Sequence, residues 1–342
     1  MNFSRRAWIA SVAAGLLPAA ALAAQAKRSS PTRPEDAVDN SAAFKGAIVL
    51  DAATGAVVLQ DRADYVGPPA SVTKLMTFLV VHDRLQRGDL TLQTPIVTTA
   101  EAAKTGGSQV YLAEKEVFPV EELLFALMIA SANDAATALA IHVAGSKSAF
   151  VELMNERAKS LGLADTVFRS PHGLPPSSRQ LSDSDVTSPR DLAKLSLHLL
   201  RATDILKYTS VHRRTFRPGP KQIDMDNHNN LLGKVAGVDG LKTGFTRGAG
   251  FCLAATALRR GRRLIVVTMG SPDSKTRDLK ITELLEKGFA KLPPAPPQIV
   301  DTEVPIKAAP RTSAPAPAAP PPAAKPAGGD EPVVRFTMPP KK

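Results

Sequence analysis

Hydrophobic and polar positions follow two rhythms along this chain. Residues 46–51 and 56–60 are short aliphatic runs on either side of Ala53-Thr54-Gly55, the pattern of two strands joined in a hairpin. A helical period follows. Residues 71–87 read as one helix closed by Gly88, and residues 120–130 as an apolar helix. Glu121 and Glu122 fall in its first turn, where carboxylates oppose the positive end of the helix dipole. Residues 134–143 and 147–161 continue in helical style. Ser188-Pro189-Arg190-Asp191 marks another start, with serine as N-cap and proline in the first turn. Strand patterns return at 238–243, 250–258 and 263–269, Arg260-Gly261 turning between the last two, and 273–290 closes as an amphipathic helix. Strands from both ends with helices between them predict an α+β fold. One antiparallel sheet would hold the N- and C-terminal strands together, with flanking helices and a mostly helical subdomain.

Both termini depart from that pattern. Arg5 and Arg6 precede a small apolar run at 7–20, and Ala21-Leu22-Ala23 and Ala24-Gln25-Ala26 both fit a small-x-small cleavage site. Residues 1–26 therefore predict an export signal, and 27–40 a polar linker. The run is short, alanine-rich and broken by Pro18, which argues against a membrane span. Ser4-Arg5-Arg6-Ala7-Trp8-Ile9 faintly resembles a twin-arginine signal. At the other end, 15 of the 29 prolines lie in 293–342, mixed with alanine, glycine and scattered charge. Such a segment buries too little apolar surface to offset its ordering entropy, so a disordered Pro/Ala-rich tail is expected. The folded domain is then 41–292.

Composition narrows the chemistry. Loss of the signal removes two arginines from a formal charge of +11, leaving 11 − 2 = +9. A basic exported protein is drawn to anionic wall polymers or lipid headgroups, so peripheral contact through the tail is expected and nucleic acid is not. The single cysteine, Cys252, excludes an intrachain disulfide and sits in an apolar stretch that reads as core. The six histidines show no metal-ligand spacing, and no cofactor is expected.

Three short motifs carry the candidate chemistry. In Ser71-Val72-Thr73-Lys74, positions i and i+3 of a helix put hydroxyl and amine on one face. A lysine that lost its proton to desolvation or to a second cation would take the serine's. Chance supplies about one such match in a chain of this size, so the motif alone proves little. Ser131-Ala132-Asn133 follows the apolar helix and would aim a hydroxyl and an amide into a cleft. Lys242-Thr243-Gly244 ends a strand, whose edge pairs readily with an extended peptide; Gly244 leaves room for close approach there, and Lys242 adds positive charge.

In this order the three resemble the signature of penicillin-recognising serine enzymes. The stretches around them, Ala70 to Thr77, Ser131 to Ala136 and Val238 to Gly244, together with Leu161-Gly162-Leu163, Phe168 and His172-Gly173-Leu174, resemble the low-molecular-weight penicillin-binding proteins. These are the serine D-alanyl-D-alanine carboxypeptidases. The resemblance spans about 42–289. It implies a penicillin-binding/serine β-lactamase-like fold and a reaction that removes the terminal D-Ala from peptidoglycan stem peptides. It further implies β-lactams as covalent inhibitors and a place in the periplasm or cell envelope. It makes Ser71 the acylated nucleophile and Lys74 its base. Ser131, Asn133 and Lys242 complete the proton network. Lys242, Thr243, Gly244, Phe245 and Arg277 bind substrate, Arg277 facing its terminal carboxylate. The N–H groups of Ser71 and Phe245 would form an oxyanion hole worth about 2.7–4 kcal/mol per donor. Two departures matter. Phe245 stands where some relatives carry histidine, which keeps cross-link-cleaving endopeptidase activity as the alternative. The β-sandwich and membrane-binding helix of many relatives are missing from the sequence, so stable anchoring is not expected. No E-x-x-x-N follows Ser131, although Asp165 and Asp183 lie in that region, which disfavours a β-lactamase. The full set of reactive residue types disfavours a non-catalytic wall binder.

Overall fold

The hairpin near residue 50 and the three late strands meet in one sheet. A computed structural model describes residues 43–178 and 180–293; the expected signal, the linker and all but the first residue of the tail lie outside them. In chain order the strands are β1 (Gly46–Asp51), β2 (Val57–Asp61), β3 (Pro95–Val97), β4 (Val117–Pro119), β5 (Arg213–Phe216), β6 (Ile223–Asp226), β7 (Val238–Thr246), β8 (Gly250–Arg259) and β9 (Arg262–Ser271). The helices are α1 (Lys74–Gln86), α2 (Ala100–Ala103), α3 (Val120–Met128) and α4 (Asn133–Ala144). They continue with α5 (Lys147–Ser160), α6 (Pro189–Ala202), α7 (Leu206–Thr209) and α8 (Ser274–Lys291).

The main sheet runs β2-β1-β9-β8-β7 and every neighbouring pair is antiparallel, as expected from strands at both ends of the domain. Its two faces are separated by the alternation of side chains along each strand. Val49, Leu253, Ala255, Leu264 and Val266 pack with Ile281 and Leu285 of α8. Their sequence neighbours Ile48, Leu50, Ala254, Ile265 and Val267 join the larger core with α1 and α6. Both faces are therefore covered, and β8 and β9 read as continuous apolar runs. Helix α1 is buried on all sides from Lys74 to His82 because α3, α4 and α5 pack around it together with α6, which itself lies on the sheet. This α+β architecture places the N-terminal end of α1 at the junction of sheet and helical subdomain.

The cap predicted at Ser188 forms, its Oγ accepting from Asp191 N at 3.2 Å; Asp273, read from the sequence as the first residue of the last helix, instead accepts from Thr276 N at 2.7 Å through Oδ1. Asp273 thus precedes the last helix as its cap. Two boundaries differ. The helix expected over 71–87 begins as a 3₁₀ turn, Ala70–Thr73, before α1 proper, because Ala70 with φ 51° turns the chain sharply out of Pro68-Pro69. The apolar helix expected to reach 130 stops at Met128, since Ser131 with φ 57° redirects the backbone. The short ribbons β3–β4 and β5–β6, with α2 and α7, carry too few residues to show a period. Among the described residues no helix is long and apolar enough to cross a membrane.

Candidate active site

The 3₁₀ turn brings residues i and i+3 into eclipse, more tightly than an α-helix would. Lys74 Nζ accordingly lies 2.9 Å from Ser71 Oγ. The same nitrogen reaches Asn133 Oδ1 at 2.6 Å and the carbonyl oxygen of His172 at 2.8 Å. Asn133 Nδ2 donates to Gly106 O at 2.8 Å, which fixes the amide so that its oxygen faces the lysine. The valences decide what this cluster can do. An amide oxygen and a carbonyl oxygen only accept, whereas a serine hydroxyl also donates. A neutral amine has two N–H bonds and one lone pair. It gives the two hydrogens to Asn133 and His172, and its lone pair is left for the Ser71 hydroxyl.

The electrostatics favour that neutral form. Lys74 is completely buried, and burial, followed by the charge of Lys242, holds its amine well below the usual lysine range; Asp185 and Asp134 pull the other way. Lys242 is buried as well, and burial with the nearby Arg277 brings it to about 7. Burial and the Lys74 and Lys147 charges hold the His172 imidazole at about 3, so that ring stays neutral.

Two buried carboxylates frame the cluster. Asp185 accepts from Thr73 Oγ1 at 2.9 Å, Ser170 Oγ at 3.0 Å, and the backbone N–H groups of Arg169 and Ser170 at 2.6 and 2.9 Å. It thereby ties the segment that presents the His172 carbonyl to the nucleophile's own turn. Burial raises its pKa against these hydrogen bonds. Asp134 holds the opposite wall, accepting from the N–H groups of Val110, Leu112 and Ala135. Ser131 is buried at the bend leading into Asn133.

The third motif lies on β7, the terminal strand of the sheet. A Cβ on Gly244 would come 2.5 Å from Pro69 O and 2.9 Å from Ser71 N. The backbone of the nucleophile's turn approaches Gly244 here, and the glycine lets strand and turn touch. Gly173, with φ 81°, does the same from the other side, its Cβ position overlapping Ala70 O. Lys242 Nζ donates to Thr243 O at 3.1 Å. Phe245 is 52% exposed and stacks on Phe251 with ring centroids 4.2 Å apart. It borders a cleft of ≈ 530 Å³ that also takes in Ala70, Pro175, Pro176 and Arg247. Arg277 is buried near the start of α8, its Nε and Nη2 held by Asp278 Oδ1 at 2.8 and 2.7 Å.

The structure thus brings Ser71, Lys74 and Asn133 into direct contact and sets Lys242, Thr243, Gly244 and Phe245 on the strand beside them. Sequence reasoning missed the His172 carbonyl, Asp185 and Gly106. A backbone acceptor leaves no mark in residue type, and Asp185 was one acid among several in a polar loop. Asp183, by contrast, is exposed and accepts from Ser178 and Ser182.

Comparison with known proteins agrees with this geometry. A profile described as the S11 peptidases, D-alanyl-D-alanine carboxypeptidase, matches residues 30–273. The D-alanyl-D-alanine carboxypeptidase DacF of Bacillus subtilis is 35% identical over 248 residues, covering 72% of this chain and 62% of that protein. A D-alanyl-D-alanine endopeptidase of Escherichia coli is 35% identical over 226 residues, 65% of this chain and 70% of that one. Among solved structures, penicillin-binding protein D2 from Listeria monocytogenes in its ampicillin-bound form superposes with a TM-score of 0.65 at 30% identity. That match covers 75% of this chain and all of the other. This chain spans about three fifths of the length of the carboxypeptidase relatives it matches.

Proposed function

The chain belongs to the D-alanyl-D-alanine carboxypeptidase family of S11 peptidases, and on that premise we propose that it releases the terminal D-Ala from peptidoglycan stem peptides through an acyl-enzyme on Ser71. One observation carries the reading: the Lys74 amine has two obligate acceptors and one hydroxyl, so that in its neutral form the lone pair faces Ser71.

In the proposed reaction the neutral Lys74 takes the hydroxyl proton as Ser71 Oγ attacks the carbonyl carbon of the penultimate D-Ala. The backbone N–H groups of Ser71 and Phe245 hold the oxyanion. The proton passes from Lys74 by way of Ser131 to the departing amine, the peptide C–N bond breaks, and free D-Ala leaves. Water, deprotonated by the same lysine, then attacks the ester carbon, and the proton returns to Ser71 Oγ. Lys242, Thr243 and Arg277 receive the substrate's terminal carboxylate. A β-lactam, whose strained amide offers the same carbonyl, would be attacked alike and remain as a stable ester. Export to the periplasm or cell envelope, and contact of the basic tail with the wall or membrane, belong to this same reading.

Intact-protein mass spectrometry after incubation with benzylpenicillin tests it. A single covalent adduct is expected, and it should vanish in Ser71→Ala; an adduct that survives that substitution rules Ser71 out. The second reading is endopeptidase, favoured by the exposed Phe245 beside the nucleophile. Product analysis on a pentapeptide monomer and a cross-linked dimer separates the two, and free D-Ala from the monomer is the expected dominant product.

A further inference from the structure

The ground on the two sides of Ser71 differs. Past Gly244 the chain leads to the ≈ 530 Å³ cleft beside Phe245 and Arg247. In the other direction, two residues before Lys242, β7 meets the turn Asn227-His228-Asn229. That turn is clamped from both sides. Asn229, itself buried, donates its amide to the Gly240 carbonyl at 3.1 Å. Asn227 donates to the carbonyls of Thr209 and Val211, each at 3.0 Å, and accepts from Asn229 N at 2.9 Å. Between these two anchors His228 is exposed, with its ring in the field of Lys242, Lys74 and Arg277. Burial first and then those three cations bring its pKa to about 4, Asp226 opposing. At neutral pH the ring adds no charge to the cationic end of the groove; what it adds is bulk on a rigid mount. The turn continues through Asn230 and Leu231, which line a separate open groove of ≈ 400 Å³ with Lys234, Lys275 and Asp278.

We propose that this clamped turn, with His228 at its tip, is a stop at the leaving-group end of the substrate groove: one terminal amino acid fits beyond the bond to be cut, and a longer leaving strand does not. The proposal rests on the acyl-transfer reading above and makes His228 a specificity-determining residue for it. The wide end would take the body of the stem peptide, and the short cationic end its carboxylate. The stop lies on a turn that none of the three motifs includes.

The test measures kcat/KM of the full chain on a pentapeptide monomer and on a cross-linked dimer, for wild type, His228→Gly and His228→Phe, with melting curves to confirm folding. Removing the ring should raise the dimer-to-monomer ratio about tenfold or more, in the range that steric discrimination in a pocket supplies. His228→Phe, which restores a ring without the nitrogens, should keep the wild-type ratio. A ratio unchanged in a folded His228→Gly overturns the stop and leaves the carboxypeptidase reading standing. A wild-type enzyme that prefers dimers overturns both.

Discussion

At the scale of single residues, the site depends on a buried amine that is cheaper to hold neutral than charged. Lys74→Ala should lower the rate of Ser71 acylation by benzylpenicillin by roughly 10²–10⁴-fold, the usual worth of a positioned base. Stopped-flow acylation measures this, and an unchanged rate would remove Lys74 from the mechanism. Acylation should also weaken as the medium becomes more acidic, because protonation fills the lone pair that faces Ser71. Lys242 adds an opposite limb. It loses its charge above about 7, so KM for a carboxylate-bearing peptide should rise there, which a pH profile of kcat/KM will show. The same depression acts on folding. Between about 7 and the ordinary lysine value of 10.5 the unfolded chain binds more protons than the folded one, so stability should increase with pH across that window. The reactive residues were legible in the sequence because serine, lysine and asparagine must appear as themselves. Their supports were not: Lys74 depends on the His172 carbonyl, and every residue has a carbonyl.

At the scale of elements, strand β7 and the 3₁₀ turn are separated by little more than the absence of one methyl group. Gly244→Ala places a Cβ 2.5 Å from Pro69 O and 3.1 Å from Val72 N, both backbone atoms that cannot swing aside. The strand must back away from the nucleophile. A displacement of about 1 Å commonly costs on the order of 10²-fold in rate, so acylation should drop by about that factor while the melting temperature moves only a few degrees. Equal damage to both would mean that the glycine serves the fold rather than the site. The long elements were legible because each repeats its period several times: α6 begins after its predicted cap, and α8, β8 and β9 fall close to their predicted spans. The 3₁₀ start of α1 was not, since Ser71 to Arg87 is good helical sequence. The bend comes from Ala70, whose unusual φ is held by the packing of Gly173 and Gly244 against the turn.

At the scale of the whole molecule, both hydrophobic faces of the sheet are closed within residues 43–292. A chain ending after Pro293 should therefore keep the acylation rate and melting temperature of the full protein. Loss of either would assign the Pro/Ala-rich tail a part in the fold. The sheet also has a temporal consequence. Its central pairing, β1 with β9, joins Leu50 to Ile265, which are 265 − 50 = 215 positions apart. Closing so long a loop is entropically slow, and no earlier strand can stand in for β9. During synthesis the N-terminal hairpin has no partner until the last tenth of the catalytic domain emerges. A chain so wired lacks its central strand pairing for most of its length. Its nucleophile, whose turn packs against β7, then becomes competent only once the final strands have paired.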